Sequence, residues 1–191
     1  MTNLTKILKI VPVGVIIIIA LSVLYRLIPH PPNFTPILSM ALFAGCYINN
    51  KKLAVLLPLL TMLVSDLLLG FHNTMIFVYG ALFIAVLMGS FFIQNKVKIH
   101  NVFLTTIMAS FVFFIITNFA VWLMGDFYPY NFAGLIQSYL AGLAFWQNAI
   151  IGDLFFVFLF FGSYEFFNKK FLTKLKTSQQ SNYDIKTCKK S

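Results

Sequence analysis

The sequence predicts an all-α fold: a polytopic membrane bundle of about six transmembrane helices with both termini in the cytoplasm. Composition, the lengths of the apolar segments and the placement of the charges lead to this prediction. The chain has 191 residues, of which 60% are hydrophobic and only 10% charged, and 23 of them are Phe. A soluble domain of this size cannot bury so much apolar surface in one core, whereas a lipid bilayer can solvate it.

Six apolar segments are candidates for membrane spans, which need about 20 residues with a tolerated range of 17 to 25. The second segment, with 16 residues, is shorter than this range. The spans are placed at residues 7–28, 34–49, 53–70, 74–93, 102–124 and 148–167.

Residues 132–147 form a further apolar stretch that is too short and too polar for a span, because it contains Gln137, Ser138 and Gln147. We predict an outer interfacial or re-entrant helix there. The single transmembrane domain then covers residues 1–170. The polar, lysine-rich residues 171–191 are predicted to form a basic, disordered cytoplasmic tail.

The positive charges set the orientation. Of the 14 Lys and Arg residues, all but Arg26 lie before or at the start of the first span, between the second and third, between the fourth and fifth, or after the sixth. The positive-inside rule makes these segments cytoplasmic and so predicts the orientation of a multi-pass membrane protein. The net charge of +9 is then loop and tail charge next to lipid, and no nucleic-acid partner is predicted.

The N-terminus allows an alternative, a cleaved signal peptide with Lys6 and Lys9 before an apolar stretch and a small-x-small site at residues 20–22. The apolar run continues to Ile28, however, which favours a retained first span.

Unusual polar residues cluster at the predicted outer end. The connector of residues 29–36 has four prolines, which make it stiff, and it presents Asn33 and Thr35. It is either the wall of a pocket or a rigid turn.

Asp66 lies inside the third span, where an acid costs about 2.5 to 3.5 kcal/mol and so points to a function. The alternative for Asp66 is a structural hydrogen bond or snorkelling to the interface. His72 follows at the same end.

The fifth and sixth spans add further polar groups at this depth. Asn118 and Trp122 are four residues apart and share a helix face, which suits a flat polar molecule. Trp122 and the nearby Tyr128 and Tyr130 could instead form an interfacial aromatic belt. Asn148 and Asp153 lie in the outer half of the sixth span. The predicted substrate-binding residues are Asn33, Thr35, Asp66, His72, Asn118, Trp122, Asn148 and Asp153.

Small residues recur at helical spacing in the second and fourth spans, where they permit close approach of helices. Packing within the chain and docking of another membrane subunit are both open interpretations. These residues are Ala41, Gly45, Ala81, Ala85 and Gly89.

Motifs for nucleotide, metal or acyl-transfer chemistry are absent: the chain has no phosphate-binding Gly-rich loop, no His-Glu-x-x-His and no Gly-x-Ser-x-Gly. We therefore predict no catalytic residues, no cofactor, no metal site and no ATPase activity of its own.

Several motifs resemble one uncharacterised family of small bacterial membrane proteins, over about residues 26–167. The family's size and topology are similar to the substrate-binding S components of energy-coupling-factor transporters. That likeness implies a vitamin pocket facing outward and, as partners, a transmembrane coupling subunit and ATPases. The motifs are Pro31-Pro32-Asn33-Phe34-Thr35-Pro36, Ala41-Leu42-Phe43-Ala44-Gly45, Ser65-Asp66 with Gly70-Phe71-His72, Thr117-Asn118-Phe119-Ala120-Val121-Trp122, and Asn148 with Gly152-Asp153-Leu154.

These observations predict a membrane subunit that binds a vitamin-like small molecule or metal complex for uptake. A stand-alone transporter or channel, and a structural or assembly protein without a ligand, are the alternatives; an intramembrane enzyme is disfavoured.

Overall fold

The computed structural model describes the backbone of residues 17–18 and 20–188, and side chains up to Lys169. The described chain is mostly helical and contains no strand. The charged start of the proposed signal peptide lies outside the described residues. The helices are α1 (17–18 and 20–27), α2 (Ile37–Tyr47), α3 (Lys51–Leu69), α4 (Met75–Met88, continued by a π-helical turn Gly89–Ile93), α5 (Ile99–Met124) and α6 (Phe132–Cys188).

Four helical segments in the described part of the chain are long and apolar enough to cross a bilayer. Their bounds agree closely with the predicted third, fourth and fifth spans, and the last one contains the sixth. The protein is therefore an all-α, multi-pass membrane bundle. The segments are Lys51–Leu69, Met75–Ile93, Ile99–Met124 and Phe132–Lys169.

Helix α2 differs from the predicted span at residues 34–49. It has 11 residues, and at 1.5 Å per residue this is about 16 Å, roughly half of the hydrocarbon core. Residues 37–46 are all buried, because α3, α4, α5 and α6 all pack against α2. The apolar side chains of α2, which suggested a lipid-facing span, instead fill the centre of the bundle.

Close packing of α2 on α4 depends on two glycines. A Cβ atom at Gly45 would lie 2.0 Å from the carbonyl oxygen of Val86, and one at Gly89 would lie 2.2 Å from that of Leu42. Ala41, Ala81 and Ala85 are buried as well. The small-residue stripes are therefore used inside the chain, as the packing interpretation requires, and they are not an exposed docking surface.

Helix α6 is continuous, whereas the sequence suggested a separate outer helix at residues 132–147 and a disordered tail after residue 170. Its polar residues do not interrupt it, since the Ser138 hydroxyl donates to the carbonyl of Leu135 at 2.9 Å and to that of Asn118 at 3.3 Å. No glycine or proline follows Gly162, so nothing in the sequence breaks the helix before Cys188.

The end of the bundle opposite the predicted site is joined by polar contacts. Lys51 Nζ donates to Gln94 Oε1 at 2.6 Å and also contacts Ser90. The Tyr47 hydroxyl donates to Glu165 Oε1 at 2.7 Å. The start of α3 thus meets the end of the π-helical turn that continues α4.

Candidate functional site

A cavity of about 390 Å³ lies at the end of the bundle that contains the proline-rich connector of residues 29–36 and Asp153. Every helix contributes to its lining, so the cavity exists only because the whole bundle is assembled. One lining residue from each helix, in chain order, is Arg26, Leu38, Met62, Val78, Asn118 and Asp153.

Five of the eight predicted binding residues line this cavity. They come from the proline-rich connector, the α3–α4 connection, α5 and α6, so segments far apart in sequence converge as the polar pattern indicated. They are Asn33, Thr35, His72, Asn118 and Asp153.

The proline-rich connector forms a tight turn. The Phe34 N–H donates to the carbonyl of Pro31 at 3.0 Å, and Asn33 has a positive φ of 60°. Asn tolerates this left-handed conformation better than most residues, and a proline before it favours such turns. The turn brings Asn33 and Thr35 to the cavity wall.

Asn118 is held between α5 and α6. Its Nδ2 donates to the carbonyl of Phe114 at 2.9 Å. A Cβ atom at Gly142 would lie only 2.1 Å from Asn118 Oδ1, so glycine at position 142 leaves the room that the amide occupies. Helix packing thus places the amide at the cavity wall.

Asp153 is 5% exposed. Its backbone carbonyl accepts a hydrogen bond from Ser39 Oγ at 2.8 Å, which ties α6 to α2. The Ser110 hydroxyl lies beside the Asp153 carboxyl as a hydrogen-bond donor available to it, although Ser110 Oγ makes no hydrogen bond of good geometry within the described residues. No described cation forms an ion pair with Asp153.

Asp66, a predicted contact, does not line the cavity. It is 1% exposed, and its Oδ1 lies 2.8 Å from Arg26 Nη1. The Tyr79 hydroxyl donates to Oδ2 at 2.9 Å. Arg26 itself lines the cavity, so Asp66 contacts the site through the guanidinium. Asp66 is buried and Arg26 is largely so, and removing either partner would leave the other charge without compensation.

Trp122 and Asn148 also lie away from the cavity lining. The Trp122 indole N–H donates to the carbonyl of Pro129 at 3.0 Å, and the Tyr130 hydroxyl donates to that of Leu123 at 3.1 Å. Trp122 therefore secures the connection between α5 and α6. Asn148 is half-buried on α6. Tyr128, which the belt interpretation placed at the interface, lines the cavity.

Sequence reasoning missed several lining residues. Arg26 could have been found, because it is the one predicted outer cation and Asp66 lies at the same end. Ser110 and Trp146 gave no comparable signal. Both line the cavity, and Ser110 Oγ and Trp146 Nε1 are buried without a hydrogen-bond partner in the described chain. Burying such polar groups costs free energy unless a hydrogen-bond partner is present.

The lining also has a wall of aromatic rings. Phe113, Phe114, Phe145 and Trp146 all contribute to it, and the ring centroids of Phe114 and Trp146 are 5.3 Å apart. As for metal ligands, the described residues contain no group of three or more His, Cys, Asp or Glu side chains that could hold an ion.

Comparison with known proteins gives one positive result. No curated protein and no solved structure matches the chain. A family model matches residues 6–179, and this agrees with the resemblance to an uncharacterised family. Because this match covers most of the sequence, the chain belongs to the family of unknown function DUF6580.

Proposed function

We propose that the protein is an integral membrane substrate-binding subunit, similar to the S components of energy-coupling-factor transporters, which binds a vitamin-like small molecule for uptake. The observation that carries the proposal is the cavity itself. Asn118 and Asp153 line it from two neighbouring helices, and Arg26 lines it from a third.

The size of the cavity supports this proposal. Its volume of about 390 Å³ lies within the range of roughly 300–1,000 Å³ that is usual for small-molecule sites. Such sites are mostly apolar with a few convergent polar groups, as is this one. Ionisable groups inside a membrane domain are expensive and mark binding or transport sites more often than structural ones.

The centre of the bundle favours a binding subunit over an open channel. Helix α2 lies between its neighbours, and Met40, Leu42 and Phe43 are at most 1% exposed. This apolar helix blocks a polar route from the cavity to the opposite end. Release of a ligand to the cytoplasm would therefore require a rearrangement, and we propose that a transmembrane coupling subunit with ATPases drives it in the bacterial inner membrane.

Native mass spectrometry of the full chain, purified in mild detergent from its own host, tests the proposal. We expect a bound mass of vitamin size in the wild type and a reduced bound fraction in Asn118→Ala. The matched control is Asn101→Ala, since Asn101 lies on the same helix but caps the Lys96 carbonyl, at 2.8 Å, far from the cavity.

Two other outcomes discriminate between the functions. ATPases that co-purify in the same complex would support the coupled uptake system. A protein of unchanged mass in the wild type and both variants would contradict the binding function and favour an assembly role.

A further inference from the structure

We infer that the molecule bound in this cavity carries a positively charged nitrogen that pairs with Asp153, next to a flat aromatic ring. This inference rests on the proposed function and specifies its substrate class. It starts from the balance of charges around the cavity.

With Asp153 ionised, the cavity has one surplus negative charge. Arg26 is the only described Lys or Arg side chain in the lining, and its guanidinium is already paired with Asp66 at 2.8 Å. Asp153 is 5% exposed and has no ion pair with any described cation. A buried carboxylate without a partner is strongly disfavoured, and a cationic ligand would supply the missing partner.

Two polar groups in the cavity lining, Trp146 Nε1 and Ser110 Oγ, indicate further features of the ligand. Trp146 Nε1 is buried and has no hydrogen-bond partner within the described chain. An indole N–H can only donate, so a lone pair or the face of an aromatic ring on the ligand would receive it. Ser110 Oγ makes no hydrogen bond of good geometry in the described chain and lies beside Asp153; a hydroxyl can accept from an ammonium or donate to an acceptor.

The aromatic wall fits the same molecule. Phe113, Phe114 and Phe145 line the cavity beside Trp146. Ring faces attract cations electrostatically and stack on flat heterocycles. An anionic ligand would face both these rings and the Asp153 carboxylate, while its natural partner Arg26 is already neutralised.

Three indoles test the inference because they share one ring and differ in the charge of the side chain. Tryptamine is a cation at neutral pH, tryptophol is neutral, and indole-3-acetate is an anion. Isothermal titration of the full-length protein in mild detergent, corrected for empty micelles, gives each dissociation constant. We expect tryptamine to bind at least about tenfold more tightly than tryptophol, and indole-3-acetate to bind most weakly.

Two variants test whether the Asp153 carboxylate causes the preference for the cationic indole. Asp153→Asn should remove the preference for tryptamine over tryptophol, because the amide keeps the shape and loses the charge. Asp126→Asn is the control, since Asp126 is exposed in the connection between α5 and α6 and should leave the preference unchanged. The preference in the wild type tests the inference even if Asp153→Asn does not fold.

The outcomes separate this inference from the proposed function. Equal binding of all three indoles, blocked by the cavity-filling variant Ala141→Trp, would overturn the charge inference and leave the binding function in place. Tightest binding of indole-3-acetate would do the same. Failure of all three indoles to bind at millimolar concentrations would overturn the inference, and the native mass spectra would then decide the function separately.

Discussion

Arg26 in α1 and Asp66 in α3 form an ion pair, with 2.8 Å between Nη1 and Oδ1, at the same end of the bundle as the cavity. The Tyr79 hydroxyl from α4 donates to the other carboxylate oxygen at 2.9 Å. Three helices therefore meet at one carboxylate. The pair fastens α1 to the bundle and holds the guanidinium at the cavity wall.

Asp66→Asn should destabilise the protein by about 3 kcal/mol, because it leaves the Arg26 charge partly buried without its partner. The amide oxygen can still accept from Tyr79, so the change isolates the charge. Unfolding free energies from detergent denaturation measure this loss. The double variant Arg26→Met/Asp66→Asn should recover at least half of it, and Asp126→Asn should stay within about 0.5 kcal/mol of the wild type. Equal losses in the single and double variants would contradict the role of the pair.

Gly142→Ala should weaken ligand binding while leaving stability nearly unchanged. The new methyl group would lie 2.1 Å from Asn118 Oδ1, and the flexible amide can rotate away at little energetic cost. Alanine also favours the helix by about 1 kcal/mol over glycine. We expect roughly a tenfold loss of affinity, seen as a lower bound fraction in native mass spectra.

Gly162→Ala provides the control on the same helix, because nothing lies within 4 Å of a Cβ atom there. It should keep full binding. Equal binding in both variants would show that the position of the Asn118 amide does not matter to the ligand.

Gly89→Ala should destabilise the bundle, by about 1 to 3 kcal/mol or more. A Cβ atom there would lie 2.2 Å from the backbone carbonyl oxygen of Leu42, and a backbone atom in a packed helix cannot rotate away as a side chain can. Gly80→Ala on α4 is the matched change with open space around it. Thermal unfolding in detergent compares the two. A similar midpoint for both variants would argue against close packing of α2 on α4.

Two substitutions at Asn33 separate its role in the backbone turn from its proposed contact with the ligand. Asn33→Gly should keep the turn, because glycine adopts the positive φ of 60° readily. It should therefore leave stability within about 0.5 kcal/mol but lower the bound fraction in native mass spectra. Asn33→Val should lose stability as well, by about 1 to 2 kcal/mol, because a β-branched residue is strained there. Full binding by Asn33→Gly would remove Asn33 from the site.

The fold was largely predictable from apolar segment lengths. The predicted spans at residues 74–93 and 102–124 correspond to Met75–Ile93 and Ile99–Met124, because long apolar stretches have few alternatives to a spanning helix. The short α2 was not foreseen as a buried core helix. Hydrophobicity does not separate a helix that faces lipid from one that is enclosed by other helices.

The site was predictable where a polar residue is expensive in a membrane. Asn118 and Asp153 stood out for that reason, and both line the cavity. Asp66 stood out equally but pairs with Arg26 outside the cavity lining. The sequence reveals that a charge is costly in the membrane, but that cost is the same whether a ligand or another side chain compensates the charge. Ser110 is small and mild in polarity, so only the assembled bundle reveals its place.

An experimental structure of the protein purified from host membranes, with its bound molecule retained, is the strongest test of the proposed binding function. We expect non-protein density in the cavity that contacts both Asn118 and Asp153, with the charged nitrogen of the ligand at the Asp153 carboxylate. A cavity that holds only ordered water, or only the acyl chain of a lipid, would contradict it.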